Sequence, residues 1–256
     1  MILKTNVKLN LGLNVLRKRP DGYHDLETLF IPYFGLGDTL EIEQAPAFQI
    51  SVEPCSWNPL NDLTARAYEL LRRDFDLPPV RIRLEKGAPV GAGLGGGSAD
   101  AAFALRGLSE LFDLKLSSEQ LAGYAAALGS DCPFFIYNRP MFGSGRGEIL
   151  DDFDLDLSDY EIRVELPQGI SVSTREAYAG LTPRENVETA SAGLPLREAL
   201  KRPVEEWKDL VVNDFETSVF ALYPQLASLK ASFYERGAVY AAMSGSGSAV
   251  FGLWKR

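Results

Sequence analysis

Apolar and polar residues alternate strictly near the start of the chain. Every odd position from residue 7 to 15 is apolar, and the positions between them are polar or glycine. A period of two predicts a half-buried β-strand whose polar face carries Lys8 and Asn10. The Arg-Pro-Asp-Gly stretch at residues 19–22 then predicts a turn, and residues 28–34 a second strand.

Further along the chain, strand and helix patterns are interspersed. One helix is predicted to begin after Asn61, with Asn61 or Asp62 as its N-cap, and another to begin at Ser117-x-x-Gln120 and end at Gly129. Other strands are predicted at residues 39–43, 48–52, 80–84, 160–166, 239–243 and 249–254, and other helices from about residue 101, near Glu176, at 204–210 and at 224–236.

An acidic segment divides this α+β pattern. Five aspartates lie between residues 151 and 159, which is typical of a solvated connection rather than of an element interior. We therefore expect an N-terminal domain over residues 1–152 and a C-terminal domain over residues 153–256.

Composition narrows the class of protein. The chain has 256 residues, 46% of them hydrophobic, and a formal net charge of -9. A chain of this length can bury a core without disulfides or a metal. Its one histidine, His24, excludes a zinc site built on several histidines, and its two cysteines, Cys55 and Cys132, favour a reducing compartment over a disulfide framework.

Charge and hydropathy bear on partners and location. Neither half of the chain carries a basic surplus, which disfavours nucleic-acid binding by a basic face. The N-terminus lacks a signal-peptide pattern, and no apolar run approaches the roughly 20 residues that span a bilayer. We expect a cytoplasmic protein without a membrane or nucleic-acid partner.

The densest glycine cluster lies between a predicted strand and a predicted helix. Residues 91–98 contain five glycines. In such a loop, successive backbone N–H groups can converge on an anion, and the following helix adds the positive end of its dipole. Glycine suits these positions because a Cβ atom would block close approach and because some of them would need positive φ. The pattern predicts a phosphate-binding loop rather than a merely flexible connection.

Three common phosphate loops do not fit this segment. Residues 91–96 imitate the start of a P-loop, but Gly97 stands where the lysine should be. A dinucleotide-binding fold is disfavoured because no second strand ending in an acidic residue follows the helix. The protein-kinase glycine loop joins two strands, whereas this one leads into a helix.

The sequence Pro89-Val-Gly-Ala-Gly-Leu-Gly-Gly-Gly-Ser98 instead resembles the ATP-binding motif of the GHMP kinases. The resemblance runs from about residue 4 to the end, although family members usually add a helix and a strand beyond the strand that holds Phe251. It is most specific for the branch acting on 4-diphosphocytidyl-2-C-methyl-D-erythritol, to which the segments at residues 7–11, 19–24, 128–134, 213–216 and 243–248 are similar.

The resemblance implies a fold and a reaction. The fold would be α+β with two domains: an N-terminal domain like domain 2 of ribosomal protein S5 and a C-terminal ferredoxin-like α/β sandwich. The N-terminal domain would bind ATP and catalyse transfer of the γ-phosphate to the 2-hydroxyl of the cytidine diphosphate-linked methylerythritol, in the non-mevalonate route to isoprenoids.

Two residues match the catalytic positions of the family. Asp131 matches the aspartate that accepts the hydroxyl proton, and Lys8 matches the lysine whose charge would keep that carboxylate ionised and oriented. Each has a structural alternative: Asp131 is also suited to a helix cap or turn, and Lys8 to the exposed face of a strand.

The resemblance also implies the ATP site. Lys86 and Asp62 would border the adenine pocket, although a solvated lysine and a helix cap explain them equally well. Mg²⁺ would accompany ATP and be held largely by the phosphates, since no acidic pair is spaced for a metal and no metal ligand is assigned. The predicted loop residues are Pro89, Val90, Gly91, Ala92, Gly93, Leu94, Gly95, Gly96, Gly97, Ser98 and Ala99.

The predicted substrate site lies elsewhere in the sequence. Tyr23 and His24 match positions that contact the cytidine, where rings can stack on a base, and Asn10 belongs to the same predicted set. Thr174 would touch the diphosphate, although the neighbouring Ser173-x-x-Glu176 is also a capping box. The Ser-Gly-Ser-Gly-Ser stretch at residues 244–248 is expected to face the active site.

Two alternatives remain open from the sequence. Another GHMP kinase would act on mevalonate, a sugar or homoserine. A nucleotide-binding module would keep the glycine loop without catalysis, but the presence of both Lys8 and Asp131 argues against it. The protein is expected to be a monomer or a homodimer.

Overall fold

The protein is described here by a computed structural model that covers residues 1–181 and 194–256. The strands are β1 Ile2–Lys4, β2 Val7–Lys18, β3 His24–Tyr33, β4 Thr39–Gln44, β5 Gln49–Glu53, β6 Val80–Glu85, β7 Met141–Ser144, β8 Ile149–Asp152, β9 Tyr160–Glu165, β10 Tyr240–Met243 and β11 Val250–Lys255. The helices are α1 Leu63–Phe75, α2 Gly96–Leu111, α3 Ser118–Ala126, α4 Cys132–Tyr137, α5 Thr174–Ala179, α6 Leu196–Ala199, α7 Phe215–Leu222 and α8 Pro224–Glu235, with 3-10 helices at Pro59–Asn61 and Val204–Asp209.

The chain forms two compact units, each discontinuous in sequence. The first contains residues 1–8, 32–90 and 95–139, and the second contains residues 9–31, 91–94 and the described chain from 140 onward. Residues 140–152 group with the second unit because their strands β7 and β8 pair with β3 and with each other. A contiguous division into domains at residue 152 stays a prediction.

The first unit combines one sheet with four helices. Its sheet has the order β1-β4-β6-β5, in which β5 and β6 are parallel and the other pairs antiparallel. Helix α2 packs against α1, α3, α4 and β4, and its alanine-rich inner face lets these elements approach closely. The core between sheet and helices includes Leu40, Ile42, Ile82, Leu105, Leu108 and Phe134, all at most 1% exposed.

The second unit contains two sheets. One has the order β2-β3-β7-β8, although residues 7 and 8 of β2 and residues 32 and 33 of β3 group with the first unit. The other is antiparallel with the order β10-β11-β9. Their core joins β2 to the C-terminal elements. It is formed mainly by Leu13, Val15, Val172, Phe215, Val219, Leu226, Phe233, Met243, Val250 and Trp254.

Strand β2 is buried on both faces, so the predicted half-buried strand is wrong in one respect. Lys8, Asn10 and Asn14 are only 4%, 1% and 2% exposed. Part of the polar face is satisfied by other protein groups: the Asn10 Nδ2 donates a hydrogen bond to Thr28 Oγ1 at 2.9 Å, and that hydroxyl donates to the Gly12 carbonyl. The Oδ1 of Asn14, in contrast, is buried without a hydrogen-bond partner among the described residues. Alternation shows that one face is apolar, but it does not show that the other meets solvent.

Most other predicted elements are present, with four differences. Helix α3 ends at Ala126 rather than Gly129, because the N–H groups of Ala127 and Leu128 bond to carbonyls three residues back, as in a turn, before the chain enters α4. The acidic segment begins inside β8, an edge strand whose side chains are largely exposed. Residues 204–209 form a 3-10 helix. The elements that were not predicted are β1, β7, β8, α4, α6, α7 and the 3-10 helix Pro59–Asn61. Within residues 1–181 and 194–256, no helix is long and apolar enough to cross a membrane.

Candidate active site

Lys8 and Asp131 lie side by side in the first unit. The Lys8 Nζ is 3.7 Å from Asp131 Oδ2, and the two side chains are 5% and 33% exposed. Burial lowers the pKa of Lys8, while attraction to Asp131 acts in the opposite direction. The structure therefore pairs a buried cation with a carboxylate that reaches solvent, an arrangement suited to a general base.

Asp131 occupies the N-cap position of α4, as the sequence allowed. Its side chain nevertheless does not cap the helix. Its side chain makes no capping hydrogen bond, and its backbone has αR angles (φ -83°, ψ -15°) instead of the extended ones usual at an N-cap. Pro133 in the first turn has no N–H, which removes one donor that would need a cap. The carboxylate is directed to Lys8 instead.

The glycine loop has the backbone that the sequence predicts. Gly91, Gly93 and Gly95 have φ of 76°, 76° and 71°, values that side-chain-bearing residues rarely adopt. Gly95 is the N-cap of α2 and provides no side-chain cap. A Cβ atom at Gly97 would meet no protein atom within 4 Å. The first N–H groups of this 16-residue helix are thus approachable by an anion.

In the first unit, the loop packs directly on Lys8. A Cβ atom at Gly95 would lie 3.1 Å from Lys8 Cγ and 3.2 Å from the ring of Phe135. The N-cap of α2 therefore sits against the stem of Lys8, and a larger residue would push the two apart.

In the second unit, the loop segment 91–94 packs against the loop at residues 244–248. The Ser244 Oγ donates to the Gly93 carbonyl at 3.2 Å, and the Ala249 N–H donates to the Ala92 carbonyl at 3.2 Å. A Cβ atom at Gly93 would stand 2.2 Å from the Ser244 carbonyl oxygen. Glycine at 93 is therefore required by this contact as well as by its φ.

Lys86 and Asp62 are both engaged by protein groups. Lys86 is not a solvated lysine: its side chain is 6% exposed and its Nζ lies 2.5 Å from Asp38 and 2.6 Å from Asp100. Asp62 is the N-cap of α1, where its Oδ1 accepts from the Thr64 N–H at 2.9 Å. The helix-cap prediction is confirmed, and contact with adenine stays a prediction for both.

Sequence reasoning missed Asp38 and Asp100. Nothing local to Asp38 indicated that it would face Lys86, because the two residues meet only through the pairing of β4 with β6. Asp100 gave one signal: it is a carboxylate on the otherwise apolar inner face of α2, where it is 1% exposed. A buried acid at such a position requires a partner.

His24 belongs to an aromatic group of the second unit, and Tyr23 precedes it at the end of the turn. The His24 ring stacks on Tyr178 with centroids 4.5 Å apart and an interplanar angle of 18°, and Tyr178 packs edge-on against Phe215. Tyr23 is exposed, and the Arg146 guanidinium lies 4.9 Å from its ring centre. Burial and the positive charge of Lys18 lower the pKa of His24, so the imidazole is neutral at pH 7. Tyr178 was missed because nothing in the sequence links it to the turn that precedes His24.

The other predicted substrate residues have partners in the second unit. The Thr174 Oγ1 lies 3.4 Å from the Ser246 Oγ, which places it beside the loop at residues 244–248. Ser173 and Glu176 form the predicted capping box in full. Asn10 is buried and, besides its bond to Thr28, accepts from the Ser244 Oγ at 3.4 Å. Contact of Asn10 and Thr174 with substrate stays a prediction.

No group of three or more His, Cys, Asp or Glu side chains is placed to hold a metal ion in the described parts of the chain. The carboxylates nearest the loop in the first unit are Asp38 and Asp100, which already hold Lys86, and Asp131, which faces Lys8. A protein-only metal cage is not available from these residues.

Comparison with known proteins bears directly on this site. The family profile "GHMP kinases N terminal domain" matches residues 62–139, and "GHMP kinases C terminal" matches residues 196–256. The fold is also that of a Streptococcus pneumoniae phosphomevalonate kinase, with a TM-score of 0.71, 16% identity and coverage of 100% of this chain and 92% of that one. The chain is a GHMP kinase, and its α+β fold is that of the class.

Closer relatives define the branch. A protein of Bacteroides thetaiotaomicron named 4-diphosphocytidyl-2-C-methyl-D-erythritol kinase is 48% identical, over 100% of this chain and 92% of the relative. One of the same name from Nitratidesulfovibrio vulgaris is 36% identical, over 99% and 90%. A crystal structure of 4-(cytidine 5'-diphospho)-2C-methyl-D-erythritol kinase has a TM-score of 0.82 and 34% identity, over 99% and 90%. Within the GHMP kinases, the chain belongs to this kinase family.

Proposed function

We propose that this kinase transfers the γ-phosphate of ATP to the 2-hydroxyl of 4-diphosphocytidyl-2-C-methyl-D-erythritol, giving the 2-phosphate and ADP. This step belongs to the non-mevalonate route to isopentenyl diphosphate and isoprenoids. The observation that carries the reaction type is the 3.7 Å pairing of buried Lys8 with solvent-reaching Asp131. The substrate follows from the names that the relatives carry.

In the proposed reaction, Asp131 accepts the proton of the substrate hydroxyl. The alcohol oxygen then attacks the γ-phosphorus, the bond to the β–γ bridging oxygen breaks, and ADP leaves with that electron pair. Lys8 orients the carboxylate toward the hydroxyl. The uncapped N–H groups at the start of α2 and the glycine loop hold the phosphate oxygens.

The aromatic group of the second unit is proposed to recognise the cytosine ring. Tyr23 offers an exposed ring face, and neutral His24 offers one hydrogen-bond donor and one acceptor to a base edge. The stack on Tyr178 holds the imidazole plane in position. Aromatic stacking of this kind contributes about 1–3 kcal/mol per base in nucleic-acid complexes.

Magnesium is proposed to accompany ATP, held mainly by phosphate oxygens. When bound, it would spread the charge of the triphosphate. Because Asp38 and Asp100 already hold Lys86, Asp131 is the carboxylate of this group that remains suited to approach the ion. A cytoplasmic location, a monomeric or homodimeric state and the lack of nucleic-acid and membrane partners also stay predictions.

A coupled ADP-release assay tests the function. The cytidine diphosphate-linked methylerythritol is compared with mevalonate, homoserine and a sugar at equal concentrations, with and without Mg²⁺. We expect turnover on the first alcohol alone. Comparable turnover on a cytidine-free alcohol would contradict the substrate assignment, and ATP binding without turnover on any of them would favour a non-catalytic nucleotide-binding module.

A further inference from the structure

Beneath the start of helix α2 lies a buried ionic cluster formed by Asp38, Lys86 and Asp100. The three side chains are 0%, 6% and 1% exposed. The Lys86 Nζ donates to Asp38 Oδ2 at 2.5 Å and to Asp100 Oδ2 at 2.6 Å. A largely buried lysine held by two carboxylates is costly to desolvate. An exposed ion pair would be enough to join two strands.

Within the first unit, the cluster contacts the backbone that precedes the glycine loop and includes a residue of the helix that follows it. At the entry, Asp38 Oδ1 accepts from the N–H groups of Gly87 and Ala88, both at 2.7 Å. At the exit, Asp100 belongs to the second turn of α2, the helix that receives the loop. Lys86 joins the two carboxylates, so one cation connects the backbone that enters the loop to the helix that leaves it.

The cluster also lies directly under the anion-binding end of α2. A Cβ atom at Gly96, the first residue of the helix, would be 3.7 Å from Asp38 Oδ2 and 3.8 Å from Lys86 Nζ. Thr5 completes the cluster: its Oγ1 accepts from the Asp38 N–H at 2.9 Å and donates to Asp100 Oδ1 at 3.3 Å. The charge of these groups therefore acts on whatever anion the loop binds.

We propose that Asp38 and Asp100 are positioning residues for ATP, acting through Lys86 and the loop backbone to set both the shape and the charge of the phosphate-binding loop. This rests on the proposed binding of ATP at the glycine loop. The cluster has one positive charge and either one or two negative charges, depending on Asp100. With Asp100 protonated it is neutral; with Asp100 ionised it adds a negative charge beneath bound phosphates.

The protonation of Asp100 falls in an accessible range. Two charged groups act on it: Lys86 favours its ionised form, and Asp38 opposes it by repulsion and by accepting a hydrogen bond. Burial is the largest influence, and together these raise the pKa of Asp100 to about 8. The cluster should thus be neutral at pH 7 and negative at pH 9, and the affinity for ATP should fall between them.

Equilibrium binding of ATP to the full chain, by calorimetry at pH 7 and pH 9, tests the charge role. One added charge within several ångströms of a phosphate is expected to weaken wild-type binding about tenfold. Asp100→Asn stays neutral, so its dissociation constant should change much less over the same range. Ionisation of Lys8 is common to both proteins and cancels in the comparison. Equal pH dependence in the two proteins would overturn the charge role.

Steady-state kinetics at pH 7 tests the positioning role. We expect Asp38→Asn and Lys86→Met to raise KM for ATP by about tenfold or more, with KM for the alcohol changed less than twofold. The matched control is Arg83→Met. Arg83 also lies on β6, where its exposed side chain pairs with Glu41, and its replacement should change neither KM. Denaturant unfolding of each variant shows the fraction folded, so that an effect on stability alone is separated from one on KM.

A glycine-loop variant distinguishes failure of this proposal from failure of the proposed function. Gly97→Val meets no protein atom near its Cβ, so it should fold and obstruct ATP. If Gly97→Val weakens ATP binding while Asp38→Asn and Lys86→Met leave KM for ATP unchanged, the positioning role is overturned. If Gly97→Val binds ATP normally, the assignment of the loop to ATP is wrong, and the positioning proposal is wrong with it.

Discussion

The Nζ of Lys8 lies 3.7 Å from the Oδ2 of Asp131, with the lysine buried and the carboxylate one-third exposed. This asymmetry suits the two residues to the different roles proposed for them. A base must reach the substrate hydroxyl, and Asp131 does reach solvent. A group that fixes its orientation and charge works best when it is itself fixed, and Lys8 is held inside β2. The two residues should therefore respond differently to substitution.

Replacement of the carboxylate should affect chemistry rather than folding. Asp131→Asn removes the proton acceptor, and we expect kcat to fall by about 10² to 10⁴ with KM for ATP nearly unchanged. Because the Asp131 side chain makes no capping hydrogen bond, the fold should persist, but the thermal midpoint should fall somewhat since buried Lys8 loses the charge that faces it. The ADP-release assay and a thermal melt check both parts. Near-wild-type turnover would show that Asp131 is not the base.

Replacement of the lysine should lower activity and raise stability. Since burial lowers the pKa of Lys8 below 10.5, its contribution to stability is present above that pH and is lost as the pH falls through the lowered pKa. At pH 7, below 10.5, the burial of this amine therefore costs stability. Lys8→Met should raise the free energy of unfolding in urea while kcat falls at least tenfold. A less stable Lys8→Met protein would show that the contacts of the ammonium outweigh its desolvation.

Substitution of His24 in the aromatic group should weaken binding of the alcohol substrate and not that of ATP. His24→Ala removes the imidazole stacked on Tyr178, so KM for the cytidine-bearing alcohol should rise about fivefold or more. KM for ATP should change less than twofold. Phe34→Leu, which alters an exposed aromatic side chain of the first unit, serves as the control. Equal increases in both constants would count against a role in cytidine recognition.

A side chain added at two glycines of one loop should change the free energy of unfolding to different extents. Gly93→Ala places a Cβ atom 2.2 Å from the Ser244 carbonyl and requires φ near +76°, so we expect a loss of about 2 kcal/mol or more in the free energy of unfolding. Gly97→Val should leave that free energy within about 0.5 kcal/mol of wild type, although both weaken ATP binding. Urea titration separates them, and a normal midpoint for Gly93→Ala would contradict the contact.

Stability should also depend on the proton of Asp100. Its pKa is raised from 3.8 to about 8 by burial, so the folded state holds a proton that the unfolded chain releases. The associated stability is complete below pH 3.8 and is lost as the pH rises through 8. The thermal midpoint of wild type should therefore fall between pH 6 and 9 by more than that of Asp100→Asn. Identical slopes for the two proteins would show that Asp100 is already ionised at pH 6.

Local patterns were sufficient for most of the fold. The alternation along β2, the capping boxes at Ser117 and Ser173 and the glycine cluster before α2 each depend on neighbours within a few residues, and all are present in the structure. The elements that were missed are short. Helix α4 has six residues and β7 and β8 have four each, which is too few for a period to be recognised.

The sequence by itself determined the glycine loop, the helix caps and the resemblance to the kinases, because each depends on residues that are close together along the chain. Tertiary structure alone decided that the polar face of β2 is buried, that Lys8 meets Asp131 and that His24 stacks on Tyr178. It also placed Lys86, for which the sequence left open an adenine contact or a solvated position, at the centre of a buried cluster with Asp38 and Asp100. Contacts between distant segments depend on how strands pair and helices pack, and burial then changes the charge and proton affinity of each group.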